Sequence, residues 1–273
     1  MNKRDYLALN KANWNSRVPH HVQNYGIDKF LNDPTHLSDT VRFDVPRLGD
    51  ISGKVTVHLQ CHIGTDTLSL HRLGAHVTGL DFSAPAIEVA RKLAHDIGAD
   101  ATFVEADVYS AVDVLPHGTF DLVYTGIGAL CWLPSVKRWA EVVATLLKPG
   151  GKLFIREGHP MLWTLCDPRP DGLVTVDYPY FETDGEVFSE EHSYVDHESA
   201  LDSPTFVSFN HGLAEIFNAL WGAGFDITYF EEHDCVPWNA LGDAMVEGAL
   251  GEWRLRDRPE RLAATYTLRA TKK

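Results

Sequence analysis

Short apolar runs alternate with amphipathic stretches along the chain from residue 55 onwards. The runs are short enough to be β-strands, whereas the stretches between them repeat apolar residues at helical spacing. Strands that alternate with helices in this way predict a doubly wound, mostly parallel α/β sheet. The predicted strands are residues 55–60, 76–80, 101–105, 120–125 and 152–157.

Two helices between these strands have clear start or stop signals. Ser83 can cap the first, and Pro85 lies in its first turn, where proline is tolerated. The second ends before Pro149, because proline cannot continue a helix and the following Gly150 permits a left-handed turn. Both helices carry one apolar stripe, which indicates packing against a sheet.

The regular alternation is interrupted between residues 158 and 210. Apolar and polar residues alternate over 173–181, and 186–195 and 205–209 also resemble short strands, so an antiparallel insertion is expected after the fifth strand. A helix over 213–221 and strands over 226–231 and 264–270 complete the predicted domain. We therefore divide the chain into an N-terminal segment, 1–50, and a main domain, 51–273, that contains the 158–210 insertion.

Composition narrows the possible partners and the compartment. The 273 residues include 24 Lys and Arg against 38 Asp and Glu, a net charge of −14. A surface of this sign repels phosphate backbones, so a nucleic-acid partner is not expected. The four cysteines form no CxxC pair and no apolar run is long enough to span a membrane, which favours a cytoplasmic protein without a membrane partner or a metal site.

The first functional signal is an acidic residue at the end of the second strand. Asp81 follows the apolar run 76–80, beside the loop that leaves the first strand. In open α/β sheets, a carboxylate at this edge binds ribose hydroxyls of nucleotide-like ligands. The position of Asp81 therefore predicts a nucleoside-bearing cofactor.

Four ordered segments resemble the class I S-adenosylmethionine-dependent methyltransferases. They read VHLQCHIGTDT, GLDFS, ATFVEADV and FDLVYTGIGALCWLP, the last followed by LLKPGGKLFI. The resemblance covers about residues 55–157 and continues in 211–271. It implies the Rossmann-like methyltransferase fold, a seven-stranded sheet with a reversed final strand, and S-adenosyl-L-methionine across the carboxyl ends of the first four strands.

The resemblance also implies roles for individual residues. Asp81 would bind the ribose hydroxyls, Phe82 would pack on the adenine ring, and Asp107 would accept a hydrogen bond from the adenine amino group. The backbone N–H of Val108 would meet a ring nitrogen. The residues expected beside the methionine part are Thr125, Gly126 and Ile127.

The first segment departs from the family pattern of an acid followed by alternating glycines. His58 replaces the acid, Gln60 and His62 replace two glycines, and Gly64 alone remains. Gln60 or His62 could donate to the cofactor carboxylate at the helix N-terminus predicted near residue 65. Asp66, in the first helical turn, could replace the missing acid near the cofactor ammonium. His58 itself is interpreted as a core histidine.

Residues before the first strand often form a helical lid over the cofactor in this family. Trp14, Arg17, His21 and Tyr25 are the lid candidates, because aromatic and basic side chains suit closing a polar pocket against water. Trp14 and Tyr25 are therefore included among the cofactor-binding residues. The alternative is a polar helix that packs elsewhere.

His159 and His211 are the candidate general bases. His159 follows the fifth strand at the ligand-binding edge, and His211 opens a later helix. Histidine can remove a proton near neutral pH, although methyl transfer needs a base only if the acceptor keeps its proton until late. Trp132 and Tyr180 are further residues expected near the reacting methyl group. For each histidine, a structural or substrate-contacting role is the alternative.

The sequence thus predicts an enzyme that transfers a methyl group from S-adenosyl-L-methionine to an oxygen or nitrogen of a small-molecule acceptor. One alternative is a non-catalytic cofactor-binding or regulatory protein of the same fold, which the altered first segment could reflect. Another is a nicotinamide-dependent oxidoreductase, but the glycine fingerprint of that class is missing. The sequence makes no prediction of the acceptor's identity or of the oligomeric state.

Overall fold

A computed structural model describes residues 6–181, 183–195 and 199–273. The chain forms twelve strands over this part, seven of them in one sheet. In the described residues, no helix is both long and apolar enough to cross a membrane. The strands are β1 Val55–Leu59, β2 His76–Asp81, β3 Ala101–Glu105, β4 Phe120–Thr125, β5 Leu147–Gly158, β6 Glu186–Ser189, β7 Thr205–Ser208, β8 Phe225–His233, β9 Cys235–Val236, β10 Met245–Glu247, β11 Trp253–Leu255 and β12 Thr265–Lys272.

The main sheet has the order β3-β2-β1-β4-β5-β12-β8. Neighbours from β3 to β5 are parallel, whereas β12 runs antiparallel to both β5 and β8, with Leu268 opposite Ile155 and Phe230. The order reverses at β1 and β4, and open α/β sheets bind ligands at such a switch point, beyond the carboxyl ends of the strands. The predicted doubly wound sheet with a reversed final strand is confirmed.

Helices cover both faces of this sheet, and their ends follow the sequence signals. Ser83 and Ser135 accept hydrogen bonds from backbone N–H groups three residues later, as helix caps do. The helices are α1 Tyr6–Asn24, α2 Ile27–Asn32, α3 Asp39–Leu48, α4 Thr65–Arg72, α5 Ala84–Asp96, α6 Ala111–Val114, α7 Val136–Leu146 and α8 Leu213–Gly222.

The largest apolar core lies between the sheet and helices α7 and α8. Trp139 of α7 and Leu220 of α8 are fully buried there against β4 and β5 residues such as Val123 and Ile155. Smaller clusters fill the opposite face under α3 and α4 and the space between α5 and β3. This packing holds the carboxyl ends of β1, β2, β3 and β4 at one edge.

The insertion after β5 is antiparallel, but it contains fewer strands than the alternation predicted. β6 and β7 pair antiparallel within the strands expected over 186–195 and 205–209, but β6 ends at Ser189. The predicted strand over 173–181 is wrong, because this segment makes only an isolated bridge between Val176 and Leu165 and leaves several of its apolar side chains exposed.

A second excursion, between β8 and β12, was not predicted. Residues 235–255 contain a small antiparallel sheet in the order β10-β11-β9. A buried ion pair attaches it to the main sheet, with Arg156 Nη1 and Nη2 donating to the carboxylate of Glu252 at 2.9 and 2.8 Å. The guanidinium carbon of Arg156 also lies 3.6 Å from the ring centre of Phe43 in α3.

The N-terminal segment consists of helices α1, α2 and α3. Asn10 of α1 joins it to the edge of β7: its Nδ2 donates to the carbonyl of Val207 at 3.0 Å, and its Oδ1 accepts from the N–H of the same residue at 2.8 Å. Asn13 donates to the carbonyl of Ser203 at 2.7 Å. Helix α1 therefore packs on the insertion as well as on the sheet edge.

Candidate active site

A cavity of about 1130 Å³ opens at the carboxyl ends of β1, β2, β3 and β4. Its walls come from the first loop, the loops after β2, β3 and β4, helix α1, and both excursions from the main fold. This volume exceeds the usual range for one small ligand, so the cavity has room for two. Residues predicted to bind the cofactor lie on its wall, namely Trp14, Tyr25, Gln60, His62, Asp66, Asp81, Phe82, Asp107, Val108, Gly126 and Ile127.

Asp81 ends β2 and is 6% exposed at the cavity wall. Its Oδ2 accepts from the N–H of His62 and its Oδ1 from the N–H of Ser83, both at 2.9 Å. Burial raises the pKa of Asp81 to about 6, against the lowering effect of these backbone hydrogen bonds. Each carboxylate oxygen has a further lone pair, so Asp81 can still accept from a ligand hydroxyl.

The loop after β1 keeps a glycine-like backbone at two positions without glycine. Gln60 has φ 59° and His62 has φ 50°, in the left-handed region that side chains other than glycine rarely adopt. Gly64 follows at φ 81°, and a Cβ there would lie 2.8 Å from Ala90 and Phe103, so glycine is required for close packing on α5 and β3. The loop thus retains the shape of a cofactor loop and carries strain at two residues.

The side chains of this loop are held against the walls. Gln60 Nε2 donates to the carbonyl of Ala129 at 3.0 Å, and its Oε1 is buried without a hydrogen-bond partner in the described chain. Asp66, on the first turn of α4, lies close to Gly126 across the cavity, and burial raises its pKa. An acceptor without a donor and a nearby carboxyl group both suit a ligand ammonium group.

His58, interpreted from the sequence as a core histidine, is 3% exposed and also lines the cavity. It is buried in β1, its Nδ1 lies 2.9 Å from Oγ1 of Thr67, and burial lowers its pKa to about 3. A neutral imidazole therefore occupies the place where the family carries an acid.

Asp107 caps the short turn after β3 and also faces the cavity. Its Oδ1 accepts from the N–H of Tyr109 at 2.9 Å, and burial raises its pKa. Val108 follows it, buried and on the wall, and Phe82 is a half-buried wall residue after β2. The three residues expected around an adenine ring are thus brought together at adjacent strand ends.

Of the three residues expected beside the methionine part, Thr125 is misplaced by the sequence prediction. It is the last residue of β4, fully buried between Leu59 and Ile155 of the flanking strands, and it does not line the cavity. Gly126 and Ile127 do line it. The wall at this point therefore begins one residue later than expected.

Glu157 holds the loop after β4 and was missed by sequence reasoning. Its Oε1 accepts from the N–H groups of Gly128 and Gly158, and its Oε2 from those of Ala129 and Leu130, at 2.7 to 2.9 Å. Burial raises its pKa, and these four donors oppose that rise. Its sequence signal was an acidic residue at the carboxyl end of the predicted strand 152–157.

Helix α1 places a polar and aromatic cluster over the first loop. Nδ1 of His21 lies 2.7 Å from Nε2 of His62, Trp14 packs edge-on against His62 with ring centres 5.0 Å apart, and the hydroxyls of Tyr25 and Tyr194 are hydrogen bonded. Burial lowers the pKa of His62 to about 3, helped by Arg17. These contacts support a lid role for α1, with Tyr194 of the insertion as an additional partner.

His159 and His211, the expected bases, lie outside the cavity wall. Nδ1 of His159 accepts from the N–H of Met161 at 3.0 Å, and its Nε2 is 3.0 Å from Glu232. His211 places Nδ1 2.6 Å from Glu215 and Nε2 2.7 Å from the carbonyl of Leu133. Neither histidine lines the cavity, although His211 contacts Leu133 of its wall, so the structure gives no support to the two expected base roles.

Trp132, after β4, lines the cavity, whereas Tyr180 faces a separate surface depression. The far wall is aromatic: Trp163 and Trp238 stack with ring centres 5.6 Å apart, and Tyr194 is 6.3 Å from Trp238. Trp238 belongs to the excursion between β8 and β12, which sequence reasoning did not assign to the site. The tryptophans at 238 and 253 were its sequence signal.

Across the described ranges, no group of three or more His, Cys, Asp or Glu side chains could hold a metal ion. The sequence contains 14 histidines, and the pair His192 and His197 is one that could suggest a metal ligand, but His197 lies outside the described residues. Among the described residues of the cavity wall, acidic side chains outnumber basic ones. The Arg and Lys residues of this described wall are Arg17 and Lys29.

Comparison with known proteins agrees with this geometry. The family described as Methyltransferase domain matches residues 57–153. A ubiquinone biosynthesis O-methyltransferase of Photorhabdus laumondii is 33% identical over 123 residues, which span 44% of this chain and 50% of that relative. The chain thus matches about half the length of this curated relative.

Solved structures match over most of the chain. An S-adenosylmethionine-dependent methyltransferase from Mesorhizobium loti has a TM-score of 0.59 at 24% identity, covering 90% of this chain and all of that one. A methyltransferase from Methanosarcina mazei has a TM-score of 0.56 at 19% identity, covering 84% and 97%. The sheet order and these matches agree: the chain has the fold of S-adenosylmethionine-dependent methyltransferases, and its residues 57–153 match the family described as Methyltransferase domain.

Proposed function

We propose that this protein transfers a methyl group from S-adenosyl-L-methionine to an oxygen or nitrogen of a small-molecule acceptor. The observation that carries the proposal is the position of Asp81 and Asp107, at the carboxyl ends of adjacent strands, on the wall of one cavity of about 1130 Å³. Carboxylates at the carboxyl ends of two adjacent strands can bind the ribose and the base of one nucleoside. The remaining volume suits an acceptor.

The residues present fit the cofactor despite the altered first loop. The loop keeps left-handed backbone at Gln60 and His62, so the chain passes close to the cavity there. The unpaired Oε1 of Gln60 can accept a hydrogen bond from the cofactor ammonium, and Asp66 supplies the nearby carboxyl group that His58 lacks. Phe82 and Val108 offer apolar surface to the adenine ring.

When bound, S-adenosyl-L-methionine supplies a methyl group activated by a positively charged sulfur. The protein's contribution is alignment, because in-line displacement depends on the approach of the acceptor atom. Glu157 holds the loop that carries Gly128 and Ala129, and α1 covers the first loop and excludes water. No histidine among the expected bases reaches the cavity.

Oxygen is the favoured acceptor atom, since the relative from Photorhabdus laumondii is named an O-methyltransferase. The aromatic wall of Trp163, Trp238 and Tyr194 suits an acceptor with flat apolar area. The four cysteines of the chain are free thiols, which supports the cytoplasm as its compartment. The net charge of −14 argues against a nucleic-acid acceptor.

Calorimetric titration with S-adenosylhomocysteine tests the cofactor site. We expect the wild-type protein to bind and the Asp81→Asn variant to bind about tenfold or more weakly, because a hydrogen bond to a charged group contributes about 1.5–3 kcal/mol. Asp113→Asn, an exposed aspartate on α6, is the matched control and should bind like the wild type. Equal affinity of the Asp81 variant and the wild type would contradict the assigned site.

The non-catalytic alternative predicts binding without turnover. Incubation with S-adenosyl-L-methionine and a panel of phenols, carboxylic acids and amines separates the two. Formation of S-adenosylhomocysteine that depends on an acceptor supports the enzyme, whereas tight cofactor binding with no product for any acceptor class supports the regulatory protein.

A further inference from the structure

A buried guanidinium faces the cavity without a carboxylate partner. Arg17 of α1 is 3% exposed and lies on the cavity wall. Its Nε donates to Oδ1 of Asn13 at 2.7 Å and its Nη1 donates to Oγ of Ser193 at 3.2 Å. No Asp or Glu in the described part of the chain forms an ion pair with it, and both of these hydrogen-bond partners are neutral.

Three aromatic rings surround this guanidinium. Its central carbon lies 5.6 Å from the ring centre of Trp14, 5.9 Å from that of Trp132 and 5.5 Å from that of Phe206. Rings in this arrangement stabilise a cation, but they also remove water and so strengthen its attraction for an anion. A buried charge without a partner is costly, and a ligand of opposite charge offsets that cost.

The ionisable groups that act on the Arg17 charge are Tyr194, Glu190, Tyr25 and Cys131. Burial lowers the pKa of Arg17, whereas these groups act in the opposite direction. Glu190 is the carboxyl group among them, and in the described residues it forms no ion pair with the guanidinium.

The position of Arg17 joins the cofactor side of the cavity to the acceptor side. Trp14 contacts His62 of the first loop, whereas Trp132 follows β4 and Phe206 lies in β7 of the insertion. The two histidines expected to act as bases lie elsewhere. An acceptor with an acidic hydroxyl group needs no base if a nearby cation stabilises its ionised form.

We propose that the Arg17 guanidinium binds an oxyanion of the acceptor, so that the acceptors are molecules with an acidic hydroxyl group, such as phenols, enols or carboxylic acids. This inference rests on the proposed methyl-transfer function. It assigns the choice of acceptor class to one residue of α1.

The resulting reaction is balanced without a protein base. The hydroxyl proton passes to solvent as the acceptor binds, and the oxyanion is held by Arg17. An oxygen lone pair then forms the new C–O bond while the bond between the methyl carbon and sulfur breaks, and its electron pair stays on sulfur as a neutral thioether. The methylated product has lost its charge, and with it the attraction to Arg17 that favoured binding.

The absorbance of 4-nitrophenol, which differs between its neutral and ionised forms, tests the proposal. The ligand is titrated with pH in the presence of wild-type protein, Arg17→Met and Arg17→Lys, each with S-adenosylhomocysteine. We expect bound 4-nitrophenol to ionise about one to three pH units lower in the wild type than in Arg17→Met, because an opposite charge within contact range shifts a pKa by that amount. Arg17→Lys should retain part of the shift.

Lys29→Met is the matched control, because Lys29 is an exposed basic residue on the same cavity wall. It should behave like the wild type. Thermal unfolding of Arg17→Met, compared with Arg17→Lys, identifies any general loss of structure.

Two results overturn the inference. One is the same ionisation of 4-nitrophenol, or no binding of it, in the wild type and Arg17→Met. The other is loss of S-adenosylhomocysteine binding by Arg17→Met with 4-nitrophenol unaffected, which assigns Arg17 to the cofactor carboxylate instead. If the wild type fails to bind S-adenosylhomocysteine, the proposed function fails, and the 4-nitrophenol titration without it still decides the role of Arg17.

Discussion

Gln60 and His62 stand where the methyltransferase pattern has glycines, and their backbone explains how this departure is tolerated. Both stand where glycine is expected, and both adopt positive φ angles. Their side chains make compensating contacts, Gln60 with the Ala129 carbonyl and His62 with His21. The loop shape is therefore preserved at the cost of local strain.

This strain predicts that glycine is more stabilising than alanine at position 62, the reverse of their usual order. His62→Gly should be about 1 kcal/mol more stable than His62→Ala, because a Cβ in the left-handed region costs about 1–2 kcal/mol. Both variants lose the contact with His21, so their difference isolates the backbone effect. Urea unfolding measures it. The control position is Glu141, which is exposed within helix α7, and there the Gly variant should be less stable than the Ala variant by a similar amount. If Ala is the more stable residue at both positions, the backbone strain at His62 is refuted.

The raised pKa of Asp81 predicts pH-dependent cofactor binding. The carboxylate ionises at about pH 6, and only the ionised form offers all its acceptors to ribose hydroxyls. Affinity for S-adenosylhomocysteine should fall as the pH falls below about 6, approaching tenfold per pH unit, and Asp81→Asn should lack this step. Calorimetry between pH 5 and 8 measures both; a wild-type affinity that is flat across pH 6 would contradict the assignment.

Acid unfolding caused by protonation of Asp81 does not explain this loss of affinity for S-adenosylhomocysteine. Its pKa is higher in the folded protein, about 6, than the ordinary value of 3.8 expected when unfolded. Between these values the folded state binds more protons, so lowering the pH stabilises the fold through this group. Weaker binding in that range would thus reflect the protonated carboxyl group itself.

At the scale of elements, the loop after β4 depends on one buried carboxylate. Each oxygen of Glu157 accepts two backbone N–H bonds. Glu157→Gln should lower the free energy of unfolding by about 3 kcal/mol, since an amide NH₂ then faces two donors that are left unpaired. Urea denaturation checks this, with the exposed Glu141→Gln as control; a loss below about 1 kcal/mol would show that the loop does not need the charge.

The helices and strands on the cofactor side of the cavity were predicted more completely from the sequence than those on the acceptor side. Strands β1 to β5 and their helices follow period-two or helical patterns, because each buries a face against the same sheet. The 173–181 alternation gave a false strand, since no neighbouring strand pairs with it beyond the bridge at Val176. The small sheet β9–β11 was missed because strands of two or three residues carry too few positions for a pattern.

At the scale of the whole molecule, buried histidines couple folding to pH. The folded pKa of His58 is about 3, below the ordinary value of 6.5 expected when unfolded. Its contribution to stability is fully present above about pH 6.5 and is lost as the pH falls, because the unfolded chain then takes up the proton.

His58→Gln should therefore flatten the acid side of the stability profile. Between about pH 6 and 4, the wild type should lose about 1.4 kcal/mol per pH unit more than the variant, the value of one proton. Other titrating groups are common to both proteins and cancel in the difference. Urea unfolding at several pH values gives the slopes, and His95→Gln, with its side chain exposed, should keep the wild-type slope. Parallel wild-type and His58→Gln slopes would rule out a neutral buried His58.

The sequence by itself determined the doubly wound sheet and the position of Asp81, through apolar periodicity, helix caps and an acid directly after a strand. The reversed last strand and most of the cofactor wall came from the resemblance of four sequence segments to the methyltransferases. Their positions follow from chain order, because parallel strands connected by helices present their carboxyl ends at one edge.

Only the tertiary structure decided which side chains share the cavity. His159 and His211 follow strand ends or open helices where the sequence predicts the site, yet neither lines the cavity, whereas Trp163 and Trp238 come from the two excursions and do. Long-range contacts of this kind leave no local pattern, because they depend on how α1 and the two excursions pack on the sheet. The chemistry of the acceptor side is therefore a property of that packing.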